Sequence, residues 1–166
     1  MGALLQHVAP KQAFLQQRIR LATGDDAQPR ALIERFVEAG YERVAMVEGR
    51  GQVALRGGIV DVYATDARYP VRMEFWGDTI DQMRSFDPVT QRSIEQVTRA
   101  VFAPAFETPQ TQAAVARALK RIEGREEFAD QYAAWREGHA CAGADALLPL
   151  LYKKLDTVVD YLPPDA

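Results

Sequence analysis

The chain is poor in the residues that carry most catalytic and metal chemistry. Among its 166 residues there are one cysteine, Cys141, and two histidines, His7 and His139. A single cysteine cannot form an internal disulfide, which argues against a secreted scaffold and suits a reducing compartment. Both histidines lie far in sequence from the acidic stretch of Glu74, Asp78, Asp81 and Asp87. That stretch has no ligand spacing of its own, so no metal site is expected. His139 and Cys141 stand two positions apart, where side chains do not face each other on a helix, and no orienting acid is evident. A thiol–imidazole nucleophile is therefore not expected. The chain contains no Gly-Lys pair, so neither GDD at 24–26 nor GRGQVALRGG at 49–58 reads as a phosphate loop. No apolar run approaches the roughly 20 residues that cross a bilayer. Residues Met1 to Pro10 lack the basic start and long apolar core of a signal peptide, and a soluble cytoplasmic protein is expected. A basic excess is missing as well: the formal charge is −3, so whole-molecule electrostatics give no pull toward nucleic acid.

What is present is enough for one good domain or two small ones, since a chain of this length buries about 70% of its unfolded surface. Residues 1–20 show no clear caps and read as the tail of an upstream subdomain, possible strand included. Asp25 and Asp26 are N-cap candidates for a helix with Pro29 in its first turn. Leu32, Ile33 and Phe36 recur there at helical spacing, and Gly40 sits where a C-terminal cap belongs. From residue 43 to 103 the pattern becomes Val, Ile, Tyr and Phe interleaved with polar residues and punctuated by glycines, which predicts a twisted antiparallel sheet. After Ala103-Pro104-Ala105 helical spacing returns, in the stripes Val115, Leu119, Ile122 and Phe128, Tyr132, Trp135. The reading is an α+β chain: a sheet domain with an N-terminal helix over 21–106, then a mainly helical partial subdomain over 107–166.

Alternation within the sheet sorts the side chains. In the run 71–76, Val71, Met73 and Phe75 fall on one face, the expected core, and Arg72, Glu74 and Trp76 on the other. Arg56 opposes Val53 and Leu55 in the same way. Two arginines and a tryptophan facing solvent together would have the composition of a protein–protein hot spot. The alternative is that both arginines are cross-strand partners of Glu74 and Asp61, with Trp76 half-buried beneath the C-terminal helices. The lone Arg56-Gly57-Gly58 reads as a tight turn or bulge rather than an RNA-binding repeat.

Four phrases in order, GYERV, RGGIVDVY, PVRMEFWGD and FDPVTQRS, resemble the UvrA-binding domain shared by the excision repair protein UvrB and the transcription-repair coupling factors. In that family the arginine before the Gly-rich turn, the arginine of the PVR word and the aromatic closing the next strand contact UvrA. The resemblance places these at Arg56, Arg72 and Trp76, with Trp76 standing where the family more often has Phe. PAFE at 104–107 and LPLLYKKLDTVVDYLPPDA at 148–166 resemble the coupling factors and favour them over UvrB. The resemblance implies a non-catalytic recruiting module that binds UvrA and needs no cofactor. Its bacterial parent would be a translocase using ATP and Mg, engaging stalled RNA polymerase and duplex DNA through regions absent here. It implies further that the sheet domain is inserted between two halves of a helicase-like subdomain whose first half this chain lacks, and that the docking face is masked in the parent until polymerase is engaged. A reading of another class is a nucleic-acid platform built on Arg72, Trp76 and Arg84.

Overall fold

The computed structural model describes residues 7–106, 112–136 and 148–162. The chain forms two compact units, one from residues 17–105 and one from residues 1–16 with 106–166. The second unit is discontinuous in sequence. Its N-terminal part holds a short strand β1 (His7–Val8) and a helix α1 (Lys11–Gln16).

The continuous unit is a sheet covered on one face by a helix. It begins with β2 (Ile19–Ala22) and the helix α2 (Pro29–Glu38), followed by β3 (Glu42–Arg43), β4 (Gln52–Arg56), β5 (Ile59–Tyr63), β6 (Val71–Trp76), β7 (Thr79–Phe86), β8 (Ser93–Gln96) and β9 (Arg99–Phe102). Strands β3 to β8 form a six-stranded sheet in sequential order, antiparallel except for the parallel β3–β4 pair, and β2 pairs with β9 in a separate two-stranded ribbon. The architecture is α+β. Ile19 and Arg20 belong to this ribbon, so the sheet unit starts before residue 21, and the pairing Ile19↔Phe102 joins positions that no local pattern links.

Helix α2 lies where expected, but its start is not capped as expected. Gln28 is the N-cap and makes no side-chain cap bond, while Pro29 takes the first helical position, where its missing N–H costs nothing. Asp25 and Asp26 serve the chain around them instead. The Asp25 carboxylate accepts from the Ala22 N–H, and the Asp26 carboxylate accepts from the Thr79 hydroxyl. The backbone of this segment runs along the start of β7, with Gly24 N–H to Ile80 O and Ile80 N–H to Asp25 O. At the other end Gly40, at φ +92, closes the helix. Its N–H bonds Val37 O while the Tyr41 N–H bonds Phe36 O, a Schellman arrangement sealed by the edge-on contact of the Phe36 and Tyr41 rings.

The core lies between α2 and one face of the sheet. Leu32, Ile33 and Phe36 pack on Val53, Val60, Val62, Met73, Ile80 and Met83, and Ile19, Leu21 and Phe102 from the ribbon close the end. Met73 is fully buried, whereas Val71 and Phe75 are partly buried at the margin of the same cluster. The register expected for β6 therefore holds, with a bulge opposite Glu74/Phe75.

In the discontinuous unit β1 pairs antiparallel with β10 (Asp156–Thr157). Lys11 N–H donates to the Asp156 carboxylate, and Tyr161 donates its hydroxyl to Ala9 O. Helices α3 (Gln112–Ile122), α4 (Ala129–Arg136) and α5 (Leu148–Leu151) surround Ala118 and Ile122, against which Leu119, Phe128 and Tyr132 pack. The side chains of Val115 and Trp135, together with His139 and Cys141, lie outside the described residues. Among the described residues no helix is long and apolar enough to cross a membrane.

Candidate functional site

The face of the sheet opposite α2 carries the charged residues of interest, because the β pleat sends every second side chain there. Across it runs the row Ala54–Asp61–Arg72–Arg84–Gln96, contributed by β4 to β8 in turn. One end of the face is apolar: Val47, Ala54 and Phe86 form a small second cluster with Val44 and Tyr63. Asp61 sits beside this cluster and is 1% exposed. A carboxylate so placed must be paired, since desolvation of an isolated charge costs several kcal/mol.

Two arginines pair it. Arg72 donates from Nε to Oδ1 at 2.7 Å and from Nη2 to Oδ2 at 2.8 Å, a forked bond, while Arg56 donates from Nη2 to Oδ2 at 2.8 Å. The group carries two positive charges against one negative. The Arg72 guanidinium also lies over the Phe86 ring, 4.4 Å from its centroid. The bond to Asp61 holds the Arg72 pKa above its ordinary value, with burial opposing.

The three docking candidates therefore differ in their surroundings. Trp76 is 84% exposed, at the β6–β7 hairpin where Gly77 takes φ +63. The ring is not half-buried. The Arg56 side chain is 43% exposed, beside a two-residue turn in which Gly57 takes φ +59, a value glycine adopts freely. Arg72 departs from the solvent-facing expectation, for its side chain is only 15% exposed, with its guanidinium over the Phe86 ring and bonded to the buried Asp61. Arg84, the extra cation of the nucleic-acid platform, is paired with Glu74 rather than free. Among the described residues no group of three His, Cys, Asp or Glu side chains could hold a metal ion.

Sequence reasoning missed the part played by residues 87–92. Asp87 accepts from the backbone N–H groups of Val89 and Thr90, and the Gln91 side chain reaches Arg72. The Asp-Pro pair signals a turn, but a bond from Gln91 to a residue 19 positions earlier leaves no trace in the local pattern.

A sheet whose exposed face sets a solvent-facing tryptophan and a net positive arginine pair over a buried carboxylate has the surface of a protein-docking module. The chain belongs to the UvrB interaction domain family, whose match covers residues 19–107. As a member of that family it is a binding module rather than a catalytic domain. It is 37% identical over 160 residues to the transcription-repair-coupling factor of Mycobacterium tuberculosis, covering 90% of this chain and 13% of that protein. It is 35% identical over 123 residues to that of Bacillus subtilis, covering 74% and 10%. The UvrABC system protein B of Pseudothermotoga lettingae is 29% identical over 110 residues, covering 66% and 17%. The chain thus spans a small part of the length of these relatives.

Proposed function

We propose that the sheet unit docks UvrA through Arg56, Arg72 and Trp76, as the recruitment module of a bacterial transcription-repair coupling factor. The observation that carries this reading is the Trp76 ring standing 84% exposed on the face that holds the arginine pair. A rigid aromatic left in water is a liability that a partner's pocket converts into affinity, and the net positive arginine pair suits an acidic counterpart. The coupling-factor relatives align across 90% and 74% of the chain against 66% for the UvrB relative, and this supports the coupling factor over UvrB. In this reading ATP, Mg, duplex DNA and RNA polymerase are engaged by other parts of a cytoplasmic translocase.

Calorimetry with purified UvrA tests the proposal. Trp76→Ala and Arg56→Ala are each expected to weaken binding by roughly 2 kcal/mol with the fold intact. Equal binding by the parent chain and both variants would overturn the assignment.

A further inference from the structure

Gln91 combines two unusual properties. It is the one described non-glycine residue with positive φ, at +60, a conformation that ordinary side chains disfavour and that persists only where the surroundings impose it. Its carboxamide is also fully engaged: Nε2 donates to Val47 O at 3.2 Å and Pro88 O at 2.8 Å, and Oε1 accepts from Arg72 Nη2 at 2.9 Å. The two carbonyls can only accept and the guanidinium can only donate, so the network fixes which way the amide points.

Resting on the UvrA-docking reading, we propose that Gln91 is a positioning residue of the docking face, holding the Arg72 guanidinium in the orientation that meets the partner. Arg72 spends Nε and Nη2 on Asp61 and Gln91, which leaves Nη1 as its remaining donor group. Asp61 alone grips one edge of the guanidinium. Gln91 grips the corner next to that edge, and its bonds to Val47 O and Pro88 O tie that corner to two loops. Arg72 is thereby ordered before the partner arrives, and binding does not have to supply the entropy of ordering it. The strained backbone follows from this task, because at residue 91 the chain must turn back to start β8 while the side chain points at β6.

The test is a double-mutant cycle on the full chain, read by calorimetry with purified UvrA. The change Gln91→Gly removes the carboxamide and its three hydrogen bonds while leaving a residue at ease at φ +60, so relief of the backbone partly offsets the lost bonds and the chain should still fold, with only a modest fall in melting temperature. UvrA binding should weaken about tenfold, the scale of one hydrogen bond to a charged group. In the Arg72→Ala background, Gln91→Gly should add nothing further; should Arg72→Ala prove too unstable, Arg72→Lys takes its place, keeping a charge beside Asp61 without the fork. Unchanged binding by Gln91→Gly, with Trp76→Ala and the Arg72 variant still weakened, would overturn the positioning role and leave the docking face standing. Equal weakening by Gln91→Gly with and without Arg72 would overturn it too, showing that Gln91 acts on its own. Unchanged binding by all the variants would overturn the docking reading itself.

Discussion

Arg56 and Arg72 donate to the same atom, Oδ2 of Asp61, from the two strands that flank it, each at 2.8 Å. Sharing one acceptor forces the two guanidinium groups close together, where they would repel were the carboxylate not between them. The face proposed to dock UvrA is therefore assembled around a buried anion.

The first prediction follows from that arrangement. Asp61→Ala leaves two cations facing each other over an apolar cluster and should cost about 3 kcal/mol in urea unfolding. Arg72→Ala, which leaves the buried carboxylate with Arg56 alone, should cost about 2 kcal/mol. Arg56→Ala removes a side chain that is 43% exposed and should cost about 1 kcal/mol or less. Arg72→Ala with parent-like stability would show that its burial against Phe86 contributes little, and would make it as clean a binding probe as Arg56→Ala.

A second prediction concerns the two faces of β6. Met73 is fully buried between the sheet and α2, so Met73→Ala should destabilise by about 2 to 5 kcal/mol. Trp76→Ala should stay within about 0.5 kcal/mol of the parent chain, since the ring touches water on most of its surface. The reverse order of melting temperatures would mean that the register of this strand is wrong by one residue.

The third prediction uses Tyr41, whose buried hydroxyl donates to Ala103 O at 2.6 Å and ties the end of α2 to the exit of β9. Burial, with Asp66 nearby, pushes its pKa far above the usual tyrosine value. A folded-state pKa raised above the unfolded one contributes stability that is complete below the ordinary tyrosine range and is lost as pH rises above it. Tyr41→Phe should cost about 1 to 2 kcal/mol near neutrality. It should also flatten the alkaline decline in stability, and an unchanged alkaline limb would place that titration elsewhere.

Much of this fold is written locally. The alternation through 71–76 names the core face of β6, Gly57 and Gly77 announce hairpins, and Gly40 marks the end of α2. What escapes local reading depends on partners distant in sequence. Asp26 looks like a helix cap because caps are Asp-rich, yet its carboxylate is claimed by Thr79, 53 residues later. Alternation puts Asp61 on the face opposite α2, but its burial comes with the guanidinium of Arg72, 11 positions later, which the local pattern does not announce. Arg72 follows the same logic. Its face was legible, while its depth was set by the ring it covers and the carboxylate it reaches.

The last prediction concerns acid. The Asp87 carboxylate lies at the surface, and its pKa is held below the usual carboxylate range, foremost by the Thr90 N–H at 2.7 Å, with partial desolvation opposing and the Thr90 side chain and the Val89 N–H at 2.9 Å adding to the lowering. A depressed folded-state pKa contributes stability that is present above the ordinary carboxylate range and is lost as pH falls through the folded value. Asp87 also receives the Gln91 N–H on its carbonyl, so the turn it caps carries the residue that reaches Arg72. Protonating Asp87 should therefore loosen the hold on Arg72 without unfolding the sheet. In an NMR titration the Val89 and Thr90 amide protons should shift together with a midpoint below the roughly 3.9 of a free aspartate. Asp87→Asn should abolish that titration while leaving the Met83 and Ile80 resonances in the core unmoved. A midpoint at or above the ordinary value would show that these bonds do not favour the charged carboxylate, and that the turn is held by its backbone alone.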